Sequence, residues 1–372
     1  MSEPLYLGLI SGTSMDGIDA VAVRFAAGGA CIEAGTTGDY PAGVRSSLDE
    51  LRADPDAFPA ARLAALDATI GAAFAQAANA LIEAHDLDRS AIRAVGSHGQ
   101  TVLHRPEADL PHTLQLGDPS RIARSTGLDV VADLRRADLA AGGQGAPLAP
   151  LVHRALLHDP DETRVVVNLG GIANVTRLAP DGAVSGFDTG PASCFLDDWY
   201  RAHHETGRFD AGGAWAATGR VDRPLLERLL DDPYFSAPAP KSTGIEYFSP
   251  AWLRARLPDD AGTRPADIQA TLAEFSAATL ADALNDLAPD RVLVCGGGVH
   301  NPDLLGRVAA RLDRAIDLEP TTDHGLDADL VEATLIAWLA REFIEGRAID
   351  TPPITGAAHP VRLGALWPAP PA

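Results

Sequence analysis

The sequence holds a single lysine, Lys241, and it follows Ala-Pro-Ala-Pro rather than the glycine run of a phosphate loop. A Walker loop places Gly-Lys-Ser/Thr at the start of a helix so that the ammonium reaches the phosphates. Any nucleotide bound by this chain must therefore be held in another way. Successive backbone N–H groups in glycine turns act as fixed partial positive charges and meet that need. Three segments have the composition for it: Gly12-Thr13-Ser14-Met15-Asp16-Gly17 running into Ile18 and Asp19, Asn168-Leu169-Gly170-Gly171, and Gly296-Gly297-Gly298-Val299-His300-Asn301. In the first, the glycines allow close approach, the hydroxyls donate, and Asp16 or Asp19 can hold a Mg²⁺ water. Each segment also reads as a turn that binds nothing, respectively a polar hairpin, an Asn-capped hairpin and a tight strand-to-helix turn.

A general base is the second requirement of group transfer to a hydroxyl or water. Asp188 stands at the end of a strand in Phe187-Asp188-Thr189-Gly190-Pro191 and is the candidate. The competing reading makes it the cap of the helix that carries Phe195, Leu196 and Trp199. Asp133, Arg135, Asp138 and Gln144 gather beside Gly142-Gly143, where Arg135 can fork onto a substrate carboxylate or serve only in a surface ion pair. His98 and Gln100 lie in the polar run Ser97 to Thr101, and a histidine there also fits a purely structural hydrogen bond.

Elements at the right places must carry these residues. Two β-rich runs, Leu5 to Ser11 and Asp19 to Phe25, flank the first glycine turn as a hairpin, and Cys31 to Tyr40 adds a third strand. An alanine- and leucine-rich helix spans 60–85 with an apolar stripe at Leu63, Leu66, Ile70, Phe74 and Leu81. Ile92 to Gly96 and Leu114 to Gly117 read as strands. After a glycine-rich break at Ala140 to Pro147 the opening pattern returns: Arg164 to Leu169, the Gly170-Gly171 turn, Ala173 to Leu178, then Val184 to Phe187. Helices follow over 265–287 and 327–346, with a buried strand Val292 to Cys295 between them. The chain is thus two strand, glycine-turn, strand modules followed by helices, with a proline-rich tail from Thr351 expected as an irregular strap.

Bulk properties narrow the partners. Thirty basic against 51 acidic residues give a net charge of −21, which repels phosphate backbones and anionic lipid, so nucleic acid and membrane are excluded as partners. No apolar run reaches the roughly 20 residues of a spanning helix, and the first 20 residues lack a signal-peptide pattern, which points to the cytoplasm. Cys31, Cys194 and Cys295 are too far apart in sequence for a zinc site or a disulfide framework.

Taken in order, the segments resemble the anhydro-N-acetylmuramic acid kinase family from end to end. The matching stretches are Gly8 to Asp19, Gly96 to Thr101, Leu116 to Asp118, Asp138 with Gly142 to Leu148, Asn168 to Asn174, Phe187 to Pro191, Phe209-Asp210 with Gly212-Gly213, Pro240 to Gly244, Cys295 to Asn301, Gly325 to Glu332 and Thr355-Gly356. The resemblance implies an α/β, two-domain actin-like ATPase (ribonuclease H-like) fold with a central cleft. Its expected domains are 1–134, with the tail 350–372 packed on it, and 135–349. It implies ATP and Mg²⁺ as cofactors, a small-molecule sugar as substrate, and allows a homodimer. The implied reaction opens 1,6-anhydro-N-acetylmuramic acid with water and phosphorylates it to N-acetylmuramic acid 6-phosphate, in peptidoglycan recycling. Asp188 would activate the water. Gly12, Thr13, Ser14, Met15, Asp16, Gly17, Ile18, Asp19, Asn168, Gly170, Gly171, Gly296, Gly297, Gly298 and Asn301 would bind ATP, with Asp16 and Asp19 near the metal. His98, Gln100, Arg135, Asp138 and Glu332 would face the sugar. Two positions depart from the family pattern: Ser193 replaces a customary Asn after Phe-Asp-Thr-Gly-Pro, and Ile245 replaces a customary Arg after Lys-Ser-Thr-Gly. A kinase for another sugar and a non-kinase ATPase switch of the same fold are the alternatives.

Overall fold

The computed structural model describes residues 3–12, 15, 17–26, 29–258 and 263–371. Contacts divide the chain into two units, 1–156 with 330–372, and 157–329.

The first unit opens with β1 (Leu5–Ile10), β2 (Ile18–Ala26) and β3 (Gly29–Gly38), an antiparallel meander. β1 is buried along its whole length, as its unbroken apolar run requires, and β4 (Ile92–Ser97) pairs parallel to it. β5 (Gln100–Arg105) and β6 (His112–Leu116) form a separate antiparallel ribbon. β7 (Val130–Ala132) returns to the main sheet parallel to β4. One face of the sheet is covered by the helix Ala60–Ala84, whose Leu66, Ile70, Phe74 and Leu81 pack with Leu5, Leu7 and Leu9 in one core. That helix is long and apolar enough to cross a bilayer by length and composition, yet its apolar residues are spent on this core. The other face receives the helix Val331–Ile344, and glycine is what lets it sit there. A Cβ at Gly8 would stand 1.9 Å from the Ala333 carbonyl oxygen, and one at Gly96 would stand 2.3 Å from that of Ile336.

The second unit repeats the plan. β8 (Arg164–Leu169), β9 (Ile172–Leu178) and β10 (Val184–Pro191) form an antiparallel meander. β11 (Arg291–Cys295) and β12 (Leu318–Pro320) add parallel strands beside β8. The β-branched side chains Val165, Val167, Val175, Val292 and Val294 pack under the helix Pro265–Leu287 through Ala277, Leu280 and Leu284.

The tail departs from the expected irregular strap. It contributes β13 (Ala365–Trp367), antiparallel to β7, and completes the order β13-β7-β4-β1-β2-β3. The second sheet has the order β10-β9-β8-β11-β12. Without β13, each sheet is a three-stranded meander continued by two parallel strands from its first member, which is the duplicated plan of the actin-like ATPase fold. The unit boundaries fall at 156/157 and 329/330 rather than 134/135 and 349/350. The shift has a packing cause: the helix Val331–Ile344 is received by Gly8 and Gly96, and Asp138 is tied to the tail through Thr355.

Candidate active site

In the first unit the glycine turn joins β1 to β2. Thr13, Ser14 and Asp16 lie outside the described residues. Met15 donates its N–H to the Gly12 carbonyl at 3.1 Å and closes the turn. Its side chain is buried, as is that of Ile18, so both belong to the core. Gly17 has no room for a side chain, because a Cβ would lie 2.7 Å from Thr37 Cγ2. Gln100 braces this turn. It is buried, its Nε2 donates to the Gly12 carbonyl at 3.3 Å, and its Oε1 accepts from Tyr40 Oη at 3.0 Å. Burial holds that Tyr40 hydroxyl up at about 12.

Arg135, Glu332 and Asp19 form one charge cluster. Glu332 begins the helix Val331–Ile344 and reaches solvent, while the protein crowded around its carboxyl raises its pKa. The Asp19 charge adds to that rise and the Arg135 charge opposes it. Asp19 Oδ1 accepts from Thr37 Oγ1 at 2.7 Å. Arg135 donates from Nε to His98 Nε2 at 3.0 Å and from Nη1 to the Gly145 carbonyl at 2.7 Å, and no described residue takes a hydrogen bond from its Nη2. Burial lowers its pKa to about 10, so it stays charged at neutral pH.

His98 is therefore a support for Arg135. With Nε2 accepting from Arg135, the proton sits on Nδ1 and is donated to the Gly99 carbonyl at 3.0 Å. Burial first, and then the Arg135 charge, push its pKa down to about 3, so the ring is neutral. Asp138 is likewise a support: it is fully buried, Oδ2 accepts the Gly145 N–H and Oδ1 accepts Thr355 Oγ1, each at 2.7 Å. Both oxygens hold the Gly142 to Gly145 loop and the tail in place. A cavity of about 390 Å³ opens beside these residues at the carboxyl ends of β4 and β7, lined among others by Ser97, His98, Leu114, Asp133 and Arg136. Strand ends of this kind are where open α/β sheets place ligands.

In the second unit, Asn168, Gly170 and Gly171 turn β8 into β9. The Gly170 carbonyl accepts from Ser193 N at 3.0 Å, and that of Gly171 accepts from Ala192 N at 2.9 Å and Cys194 N at 3.2 Å. The turn is thus pinned through its carbonyls to the start of the helix Ser193–His203, and Ser193 serves here by its backbone. Gly296 to Gly298 packs on the same turn. A Cβ at Gly296 would meet Asn168 Oδ1 at 2.4 Å, one at Gly298 would meet Leu169 Cβ at 2.4 Å, and Gly297 alone faces open space. Asn301 keeps the bland reading: its Oδ1 caps the helix Pro302–Ala309 by accepting the Leu304 N–H at 3.0 Å.

Asp188 does not cap a helix, since the helix Ser193–His203 has no side-chain cap. Its Oδ2 accepts the Thr243 N–H at 2.9 Å and the Ser242 hydroxyl at 3.0 Å, while no described residue donates to Oδ1. Burial raises its pKa and those two bonds oppose the rise. A carboxylate gripped at one oxygen and open at the other is oriented to take a proton at the open one. Ile245, 42% exposed, follows this segment and lies near Gly171. Reasoning from the residues missed Ser242, Thr243 and Tyr234 as partners of Asp188. The available signals were the isolated lysine and the Pro240 to Gly244 stretch that holds Ser242 and Thr243.

The profile of the anhydro-N-acetylmuramic acid kinase family matches residues 4–369. The chain is 54% identical to a protein of that name from Xanthomonas campestris pv. campestris (strain 8004), over 99% of this chain and 98% of the other. It is 49% identical to one from Xylella fastidiosa (strain Temecula1 / ATCC 700964), over 98% and 97% respectively. For one from Shewanella pealeana (strain ATCC 700345 / ANG-SQ1) the identity is 42%, over 99% of this chain and all of the other.

Proposed function

This chain belongs to the anhydro-N-acetylmuramic acid kinase family, an ATP-dependent sugar kinase family, and from that premise we propose how its residues do the work. The substrates are ATP, water and 1,6-anhydro-N-acetylmuramic acid. Asp188 Oδ1 takes a proton from the water as its oxygen attacks the anomeric carbon. The bond from that carbon to O6 breaks, and O6 takes the γ-phosphoryl group, leaving N-acetylmuramic acid 6-phosphate and ADP. Asp188 Oδ1, to which no described residue donates, beside an Oδ2 fixed by Ser242 and Thr243, is the observation that carries this reading.

Phosphates fall to the backbone N–H groups of the Gly12 to Gly17 and Gly170-Gly171 turns, and the nucleoside to the open side of Gly297. Arg135, whose Nη2 donates to no described residue, and Glu332 face the sugar. Asp19 fits a Mg²⁺ ion. Among the described residues no three acidic, histidine or cysteine side chains gather into a cage, and Mg²⁺ is commonly held by one or two carboxylates, waters and substrate phosphates. Bound there through water with Asp16, it would offset charge on the phosphates. An ATP-consuming reaction of this kind belongs in the cytoplasm.

A coupled ADP-release assay with MgATP tests the reading. The anhydro sugar should support turnover, N-acetylmuramic acid and common hexoses should not, and reaction in ¹⁸O-water should place label at the anomeric carbon. Turnover on hexoses alone, or product without label, overturns it.

A further inference from the structure

Strand β10 is an edge of its sheet, so the outward N–H and C=O of Asp188 have no neighbouring strand to pair with. A ring of hydrogen bonds takes that place. The Asp188 N–H donates to the Lys241 carbonyl at 3.0 Å, and Tyr234 Oη donates to the Asp188 carbonyl at 2.5 Å. The Lys241 ammonium closes the ring by donating to the carbonyls of Tyr234 at 2.9 Å and Phe235 at 3.1 Å, and it stands 4.7 Å from the centre of the Tyr234 ring. The register of β10 against β9 slips between Asp188 and Gly190, a bulge of the kind that re-aims a side chain. Phe235 packs on that bulge: Gly190 has a φ of 148°, and a Cβ there would stand 2.9 Å from Phe235 Cε1. Ser242 and Thr243, the next two residues after Lys241, deliver the donors that grip Asp188 Oδ2.

We propose that Lys241 is a positioning residue for Asp188, a proposal that rests on Asp188 being the general base. Its ammonium locks the Tyr234-Phe235 backbone against its own segment, and the locked pair holds the aspartate from both sides of its main chain. The chemistry explains the residue type. Thirty Lys and Arg residues less this one lysine leave 29 arginines, so this is the one basic position not filled by arginine. Two successive carbonyls converge on one point, which suits donors radiating from a single nitrogen better than a planar fork. Lys241 makes no hydrogen bond to the Asp188 carboxylate itself, so its effect passes through Tyr234 and the backbone.

The test uses full-length enzyme with MgATP and the anhydro sugar, and compares Lys241→Met, Lys241→Ala, Tyr234→Phe and Asp188→Asn. A misaimed base should lower kcat on the order of 10²-fold in Lys241→Met, with KM for ATP moved less than about threefold. Tyr234→Phe, which deletes only the hydroxyl on the Asp188 carbonyl, should lower kcat about tenfold. Added ethylammonium should restore part of the turnover of Lys241→Ala, and Lys241→Met should cost little more in the Asp188→Asn background. Wild-type kcat in both Lys241→Met and Tyr234→Phe, beside an inactive Asp188→Asn, overturns the clamp and leaves the base standing. Full turnover in Asp188→Asn removes the base and the clamp with it. A fall in kcat that only tracks lost folded protein by circular dichroism, without rescue by ethylammonium, also overturns the clamp.

Discussion

Burial and two hydrogen bonds pull the Asp188 carboxyl in opposite directions, and burial prevails. Two outcomes follow for its variants and its titration. Asp188→Asn keeps the shape and both donors but has no basic oxygen, so turnover should drop at least about 10²-fold while ATP affinity by calorimetry stays near wild type. Because the base must be ionised to act, the acid limb of kcat against pH should bend above the ordinary aspartate value of about 3.9. A limb at or below that value would mean another group is titrating. His98 bears on stability through its protonation. Its pKa of about 3 in the fold lies below the ordinary 6.5, so the unfolded chain binds more protons between those values and stability is lost as pH falls through that window. His98→Gln should flatten part of this loss, on the order of a few kcal/mol, in urea unfolding from pH 7 to 4.5. Parallel curves for variant and wild type would rule out a buried neutral ring. Asp188 was singled out as a residue at a strand's end, whereas β10 runs on past it to Pro191 and it stands at the bulge before Gly190. The bracing bonds of His98, Gln100 and Asp138 were not legible, because a polar residue that braces a loop has the same local signature as one that meets a ligand, and their partners Arg135, Gly12 and Thr355 lie far along the chain.

Elements with a strong local pattern were readable: β1, β2, β8 and β9 from apolar and β-branched runs flanking glycine turns, and the helices Ala60–Ala84 and Pro265–Leu287 from their length and composition. β7 and β13 were not, since three residues carry no periodicity and each exists by pairing with a distant partner. The placement of the helix Val331–Ile344 was hidden for the same reason, as it is buried on nearly all sides and the glycines that admit it sit on β1 and β4. This contact makes a sharp prediction about glycine. Gly8→Val puts side-chain atoms into helix backbone that has no rotamer to yield, so the helix must shift and carry Glu332 with it. Urea unfolding should show a loss of at least about 1–3 kcal/mol, and a folded variant should show a raised KM for the sugar. Gly306→Ala is the control: it lies inside the helix Pro302–Ala309 with nothing within 4 Å of a new Cβ, and should gain up to about 1 kcal/mol. A harmless Gly8→Val would refute the tight seat assigned to this helix.

On the scale of the molecule, the two units are built differently from the chain. The second is one continuous stretch, 157–329, while the first is closed by a return of the C-terminal segment. That return is specific. β13 pairs with β7, Ala369 donates its N–H to Asp129 Oδ1 at 2.9 Å, and Ala358 donates to the Ala141 carbonyl at 2.8 Å. Thr355 serves the loop beside Arg135 twice, donating to the buried Asp138 carboxylate and accepting the Gln144 N–H at 2.9 Å. Removing residues 351–372 would leave a buried carboxylate short of a donor, a loss that costs several kcal/mol when the group is charged. It would also bare the β7 edge and free the Gly145 carbonyl that orients Arg135. Hydrogen exchange read by mass spectrometry should therefore show protection lost over β4, β7 and residues 138–145 in the truncated chain, and kept over β8, β9 and β11. The tail is then a structural closure of the first unit, and sugar-dependent turnover should vanish with it. Protection lost evenly across both units would show instead that they unfold as one, and protection kept in both would show that the tail only lies on the surface.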